Sequence, residues 1–125
     1  MDIRKMKCLI LDDSKAITGL LKLIIQDELG AEEALVANSV TDALVLIEKN
    51  PASIDVVFCD LNLPDVDGVA FLRMLAERGF PGYIVIVSSV SHRVLKSVER
   101  LVHSHNLKFL GTIIKPLSPQ SVVQL

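Results

Sequence analysis

The stretch Phe58-Cys59-Asp60-Leu61-Asn62-Leu63-Pro64-Asp65-Val66-Asp67-Gly68 decides how this sequence is interpreted. The apolar run from Ile54 to Cys59 is typical of a buried parallel strand, and it stops at Asp60 and a loop. Because ligands of open α/β sheets bind just beyond the carboxyl ends of the strands, Asp60 stands where chemistry is expected. A second apolar run, Met6 to Leu11, ends in the same way at Asp12-Asp13. Two acidic strand ends in one short chain indicate a shared site.

Length and composition indicate one globular domain, residues 1–125. Half of the 125 residues are hydrophobic, and the formal net charge is −2. This charge gives no electrostatic basis for binding nucleic acid or an anionic membrane. Cys8 and Cys59 lie in apolar runs without C-x-x-C spacing, which favours buried thiols in a reducing compartment over a disulfide. We therefore expect a cytoplasmic protein without a signal peptide or membrane span.

Strand and helix patterns alternate five times along the chain. The predicted strands are Met6–Leu11, Glu33–Ala37, Ile54–Cys59, Tyr83–Val87 and Thr112–Ile114. The alternation predicts an α/β fold, in which a doubly wound, five-stranded parallel sheet is covered by helices on both faces.

The predicted helices have serine signals at their starts and apolar stripes along one face. Asp13-Ser14 supplies the cap of the first helix, and Ser39 supplies the cap of the second. The first helix is predicted to bury Ile17, Leu20, Leu21 and Ile24, and the fourth to run from His92 to His105. Ser118-Pro119 predicts a fifth helix of only about two turns. It looks truncated, as in an N-terminal fragment of a longer protein.

Polar residues recur at the predicted strand ends. In a parallel sheet, these ends would gather Asp12, Asp13, Asp60, Ser88 and Lys115. Close carboxylates repel one another by roughly 4 kcal/mol per pair at an effective dielectric constant near 20, so such a cluster needs a cation. Oxygen ligands suit Mg²⁺, and a lysine with a hydroxyl beside it suits transfer of a phosphoryl group onto a carboxylate.

Four motifs match a single family in their order along the chain. They are the pair Asp12-Asp13, the D-x-N-x-P-x-x-x-G run from Asp60 to Gly68, the hydroxyl of Ser88, and Lys115-Pro116. With them the chain resembles, over nearly its whole length, the receiver domain of two-component response regulators. The resemblance implies a flavodoxin-like (βα)5 three-layer sandwich with strand order 2-1-3-4-5. It also implies a signalling switch, which catalyses only its own phosphorylation and dephosphorylation.

The resemblance implies a phosphoacceptor and a metal site. Asp60 would accept a phosphoryl group from a histidine kinase or a histidine phosphotransfer protein. Mg²⁺, or Mn²⁺ in its place, would be bound by Asp13, Asp60 and the backbone carbonyl of Asn62, with Asp12 acting through water.

The resemblance also assigns the two remaining strand-end residues. Lys115 would pair with the phosphoryl group, and the hydroxyl of Ser88 would move to that group as the conformational switch. The peptide bond between Lys115 and Pro116 would be cis, although only about 5–6% of X-Pro bonds are. Turn geometry by itself would explain Gly68.

One position departs from the family pattern. Three residues before the lysine, where the family usually has an aromatic residue that couples the switch to the outer face, this chain has Thr112. The face formed by the fourth helix, fifth strand and fifth helix would be the dimer surface, with four charged residues available for salt bridges: Arg93, Lys96, Glu99 and Arg100. The segment from Leu110 to Pro119 resembles receivers that precede cyclic di-GMP phosphodiesterase domains.

Other interpretations of the same residues remain open from sequence. Asp12-Asp13 alone could be a solvated turn and helix cap, and Ser89 or Ser91 could cap the fourth helix. A strand ending in D-x-D is typical of haloacid-dehalogenase-type phosphatases, but here the third residue is Asn62 and no cap domain fits this length. A third alternative is a module that dimerises without phosphorylation.

Overall fold

The chain folds as an alternation of five strands and five helices in the part that its computed structural model describes, residues 5–49, 54–61, 63, 68–89 and 92–123. The elements are β1 (Lys7–Leu11), α1 (Lys15–Asp27), β2 (Glu33–Ala37), α2 (Val40–Lys49), β3 (Val56–Asp60), α3 (Gly68–Glu77), β4 (Tyr83–Ser88), α4 (His92–Ser104), β5 (Lys108–Ile114) and α5 (Pro119–Val123). All strand pairings are parallel, in the order β2-β1-β3-β4-β5. The predicted fold and strand order are confirmed.

Helices cover both faces of the sheet. One core contains side chains of α2, α3 and α4, among them Ala43, Leu75 and Val98. The other contains side chains of α1 and α5, among them Leu21, Ile25 and Val122. All five residues of β3 are buried between these layers, which explains its unbroken apolar run. Asp60 therefore lies at the end of the central strand.

Three helices begin at the predicted serines. Ser14 Oγ accepts a hydrogen bond from the Ile17 N–H at 3.3 Å, and Ser39 Oγ accepts one from the Asp42 N–H at 3.1 Å. Ser118 Oγ accepts one from the Ser121 N–H at 3.2 Å. Each bond satisfies a backbone donor that the first helical turn cannot pair. No helix among the described residues has both the length and the apolar character needed to cross a membrane.

The buried face of α1 differs from the prediction. Its buried residues are Thr18, Leu21, Ile24 and Ile25. Leu20 is 41% exposed, so its predicted place in the core was wrong. Thr18 can be buried there because its hydroxyl donates a hydrogen bond to the Lys15 carbonyl at 3.2 Å.

β5 begins at Lys108 rather than at the predicted Thr112. Ile84 pairs with Phe109, but the next residue, Val85, pairs with Gly111. Leu110 is therefore an extra residue on β5, the mark of a β-bulge. Because a bulge breaks the two-residue alternation of a strand, the first half of β5 resembled a loop in the sequence.

Gly68 allows α3 to start directly against the end of β3. Its N–H donates to the Leu61 carbonyl at 3.1 Å. A Cβ at this position would lie 2.5 Å from the Asp60 carbonyl oxygen and 2.6 Å from Leu61 Cα. Lack of space at the start of α3 therefore requires this glycine. The turn before it, which the sequence analysis used to explain Gly68, lies outside the described residues.

We predict that Gly68→Ala lowers the free energy of unfolding by about 1–3 kcal/mol, because the added methyl group meets backbone atoms that cannot turn aside. Urea denaturation followed by circular dichroism measures the change. Gly19→Ala is the matched control, since a Cβ there meets nothing within 4 Å. Because Gly19 lies inside α1, that variant should gain about 0.5–1 kcal/mol. Equal effects of the two variants would contradict the packing argument.

Both cysteines are free thiols in the core, as predicted. Burial, with a smaller contribution from the Asp55 carboxylate, raises the pKa of Cys8 to about 12. Burial also raises the pKa of Cys59 well above its usual value, and the carboxylates of Asp60 and Asp12 raise it further. Since the thiolate is the nucleophile, we expect both side chains to be unreactive in the folded protein.

Neither cysteine should react with iodoacetamide in the native protein at pH 8, and both should react after unfolding in urea. Mass spectrometry counts the added groups. A Ser89→Cys variant is the positive control, because Ser89 is exposed and its thiol would be alkylated without unfolding. Alkylation of Cys8 or Cys59 in the native wild type as fast as in urea would contradict the burial of these thiols.

Candidate functional site

The carboxyl edge of the sheet gathers the predicted site residues. Asp12 directly follows β1, Asp60 ends β3, Ser88 ends β4 and Lys115 directly follows β5. The Lys115 N–H donates to the Ser88 carbonyl at 3.0 Å, which fixes the end of β5 beside the end of β4. The Lys115-Pro116 peptide bond is cis, as expected.

Three carboxylates form a cluster at this edge. One carboxylate oxygen each of Asp12, Asp13 and Asp60 lies within 4.8 Å of the others. Asp12 and Asp60 are each only 2% exposed, whereas Asp13 is exposed. Buried carboxylates are costly unless a cation compensates them, so the cluster requires positive charge.

Lys115 supplies the first positive charge. Its Nζ is 2.9 Å from Asp12 Oδ2 and 3.5 Å from Asp60 Oδ1. Burial by itself lowers the pKa of this ammonium group. The hydrogen bond and charge of Asp12, together with Asp60, outweigh burial, so the pKa of Lys115 lies above its usual value. The lysine is therefore held as a cation against both buried acids.

The residues present fit a divalent metal ion. The formal charges of Asp12, Asp13, Asp60 and Lys115 sum to −2. Asp12 Oδ1 accepts from the Ser14 N–H at 2.9 Å. Asp12 Oδ2 is buried as well, and among the described residues the Lys115 ammonium group, at 2.9 Å, is the one donor near it. Oxygen-only donors with a charge of −2 suit a hard divalent cation. Asn62, the fourth predicted ligand, lies outside the described residues.

Asn38 is a supporting residue that sequence reasoning missed. Its Nδ2 donates to the Asp12 carbonyl at 2.9 Å, and the Asp12 N–H donates to the Ala37 carbonyl at 3.2 Å. These bonds fix the end of β1 against the end of β2. The sequence could have indicated this supporting role, because Asn38 is a polar residue directly after a predicted strand, as the other residues at this edge are.

Ser88 lies in the interior at the same edge. It is completely buried and follows Val87, which pairs with Asp60 in the sheet. Ser89 is exposed. Ser91, the other serine weighed from sequence, is outside the described residues. Burial beside Asp60 thus distinguishes Ser88 from its neighbour.

Thr112 links β5 to α4. Its Oγ1 donates a hydrogen bond to Glu99 Oε1 at 3.2 Å. Glu99 was expected to be available for salt bridges with a partner, but this hydrogen bond engages its carboxylate within the chain. Arg93, Lys96 and Arg100 on the same helix are exposed. At the position where the family usually has an aromatic residue, this chain has a polar contact between strand and helix.

Comparison with known proteins identifies the family. The family model for the response regulator receiver domain matches residues 8–125. The cyclic di-GMP phosphodiesterase RocR of Pseudomonas aeruginosa is 26% identical over 110 residues, which are 88% of this chain and 26% of that protein. A protein-glutamate methylesterase/protein-glutamine glutaminase of Thiobacillus denitrificans is 39% identical over 90 residues, 71% of this chain and 24% of that protein. The chain thus spans about a quarter of the length of these relatives.

Solved structures share the fold. A response regulator from Colwellia psychrerythraea is 26% identical with a TM-score of 0.79, over 96% of this chain and 92% of that one. The chemotaxis protein CheY4 of Vibrio cholerae also has a TM-score of 0.79, at 23% identity, over 95% and 93% of the two chains. Because the receiver-domain family model matches residues 8–125, the haloacid-dehalogenase-type phosphatase that the sequence left open is not supported. With five parallel strands in the order 2-1-3-4-5 and an acidic pocket at their carboxyl ends, the chain belongs to the receiver domains of two-component response regulators.

Proposed function

We propose that this receiver is switched by phosphorylation of Asp60, with the phosphoryl group taken from a phosphohistidine of a histidine kinase or phosphotransfer protein. One observation carries the proposal. Asp60 is buried at the end of the central strand, with the Lys115 ammonium 3.5 Å from its Oδ1 and two further carboxylates beside it. This arrangement places a nucleophile beside the charges that could compensate a phosphoryl group.

The transfer is a displacement at phosphorus. A carboxylate oxygen of Asp60 forms the new O–P bond while the N–P bond of the phosphohistidine breaks. The electron pair returns to the imidazole nitrogen, which is then protonated by solvent. Lys115 can leave Asp60 Oδ1 for a phosphoryl oxygen, because formation of the acyl phosphate removes the charge of the carboxylate and places the charge of the phosphoryl group beside it. Mg²⁺, held by Asp12, Asp13 and Asp60, would neutralise charge on the transferred group.

Ser88 is the proposed sensor of the phosphoryl group. Its buried position at the end of β4 supports this role, as does its pairing with Ile114 of the neighbouring strand β5. A hydroxyl that turns toward the phosphoryl oxygens would alter packing between the ends of these two strands. The only reactions that the domain would catalyse are its own phosphorylation and dephosphorylation.

Radiolabelled acetyl phosphate should transfer one phosphoryl group per chain in the presence of Mg²⁺, and none in EDTA. Asp60→Ala should abolish labelling, since the acceptor oxygen is gone. Asp13→Asn should slow labelling by about tenfold or more, equivalent to at least 1.4 kcal/mol of lost transition-state stabilisation. Asp42→Asn, an exposed acid on α2, is the control and should label like the wild type. Label that persists in Asp60→Ala, or no label on folded wild type with Mg²⁺, would refute the proposal.

We also propose that phosphorylation promotes a homodimer through α4, β5 and α5. Exposed Arg93, Lys96 and Arg100 support it, because they could form salt bridges with Glu99 of the second copy, whose carboxylate can accept further bonds beside the one from Thr112. Analytical ultracentrifugation should show a shift toward dimer after treatment with acetyl phosphate. Arg100→Glu should weaken the dimer, and Arg73→Glu, an exposed arginine on α3, should not.

Equal dimerisation of Asp60→Asn and phosphorylated wild type would instead support the module that dimerises without phosphate. Monomers in every state would exclude the dimer.

The proposed location is the cytoplasm. Two free buried thiols support it, because reducing compartments preserve thiols. Cell fractionation tests this location.

A cyclic di-GMP phosphodiesterase output is proposed from the similarity to RocR alone, and the coding sequence after Leu125 tests that assignment.

A further inference from the structure

Asn38 lies in the turn between β2 and α2 and contacts the acidic cluster through a backbone atom. Its Nδ2 donates a hydrogen bond to the Asp12 carbonyl at 2.9 Å. Among the described residues, this amide is the one hydrogen-bond donor to that carbonyl. The contact is with the backbone of Asp12 rather than with its carboxylate. Any effect of this amide on a bound cation would therefore pass through the position of Asp12.

The Asn38 amide replaces a backbone donor of the β1–β2 ladder. The last regular pair is Leu11 with Ala37, and the Asp12 N–H still donates to the Ala37 carbonyl at 3.2 Å. In a regular parallel ladder, the next donor to the Asp12 carbonyl would be the Ser39 N–H. Ser39 instead begins α2, since its carbonyl and its hydroxyl accept hydrogen bonds from the first turn of that helix. The side chain of Asn38 therefore supplies the donor that the backbone no longer provides.

The connection from β1 to α1 carries two of the three clustered carboxylates. One carboxylate oxygen each of Asp12 and Asp13 lies within 4.8 Å of the other and of one from Asp60. Ser14 anchors the far end of this connection, because its N–H donates to Asp12 Oδ1 at 2.9 Å and its hydroxyl caps α1. Without Asn38, the Asp12 carbonyl would lose its donor. Repulsion between the carboxylates could then shift the connection and the ligand oxygens that it carries.

We propose that Asn38 is a positioning residue for the divalent cation, and that its hydrogen bond to Asp12 sets the affinity of the acidic cluster for that ion. Loss of a hydrogen bond that orients a metal ligand typically lowers metal affinity by about 10- to 100-fold. The bond from Asn38 acts on the backbone of a ligand residue, so we expect a loss at the lower end, about tenfold. The inference rests on the proposed function, because the same cluster would hold the metal for phosphorylation of Asp60.

Electron paramagnetic resonance of free Mn²⁺ measures the dissociation constant of the ion. Asn38→Ala should raise that constant about tenfold, because the Asp12 carbonyl is left without its donor. Asn38→Gln keeps an amide donor at a half-buried position and should restore most of the affinity. Wild-type affinity in Asn38→Ala, or an equal loss in Asn38→Gln, would overturn the role of the amide. Absence of Mn²⁺ binding to the wild type would overturn the inference together with the metal site.

Ser39→Ala is the matched control for a loss of stability. It removes the hydroxyl that caps α2, directly beside Asn38, and leaves the Asp12 carbonyl with its donor. Urea denaturation should show that both Ser39→Ala and Asn38→Ala are less stable than the wild type, whereas only Asn38→Ala should bind Mn²⁺ more weakly. Equal weakening in the two variants would assign the effect to the stability of the turn and refute the proposal.

The Mg²⁺ dependence of labelling by acetyl phosphate separates this inference from the proposed switch. Asn38→Ala should need about tenfold more Mg²⁺ for half of its maximal labelling rate, and should approach the wild-type rate at saturating Mg²⁺. A lower maximal rate with an unchanged half-saturating concentration would contradict a role in metal binding. If Asp60 took no label in the wild type, the proposed switch would fail, and the Mn²⁺ titration would still decide the role of Asn38.

Discussion

The ion pair of Lys115 with two buried carboxylates is the interaction on which the rest of this site depends. Asp60 ends β3 and Lys115 directly follows β5, and β4 lies between these two strands, so about 10 Å of sheet separates their backbones. Only a long side chain bridges that distance, and the lysine reaches Asp12 on β1 as well. A shorter or uncharged residue at position 115 would leave both acids buried without a nearby cation among the described residues.

The sheet holds these charges because its two cores are apolar and continuous. β3 is buried along its whole length, and helices cover both of its faces. This packing fixes Asp60 at the end of the central strand. Gly68 adds to it, since its missing side chain lets α3 start against the backbone of Asp60 and Leu61. Apolar burial thus offsets the repulsion among acids that the sheet brings together, and one bound divalent cation would remove the remaining formal charge of −2.

The sequence by itself determined the order of the strands and helices and the polar residues that stand at the strand ends, because these depend on local patterns. Apolar runs that end in Asp12, Asp60 and Lys115 located the strand ends, and a parallel sheet must bring such ends to one edge. The serine caps of α1, α2 and α5 were equally local.

Only the tertiary structure decided contacts between distant segments. In the folded chain Leu20 is exposed, and Leu110 is an extra residue that forms a bulge in β5. Asn38 donates a hydrogen bond to the Asp12 carbonyl, and Thr112 donates one to Glu99. Each of these depends on which surfaces meet after folding, and neither periodicity nor residue type along the chain specifies that meeting.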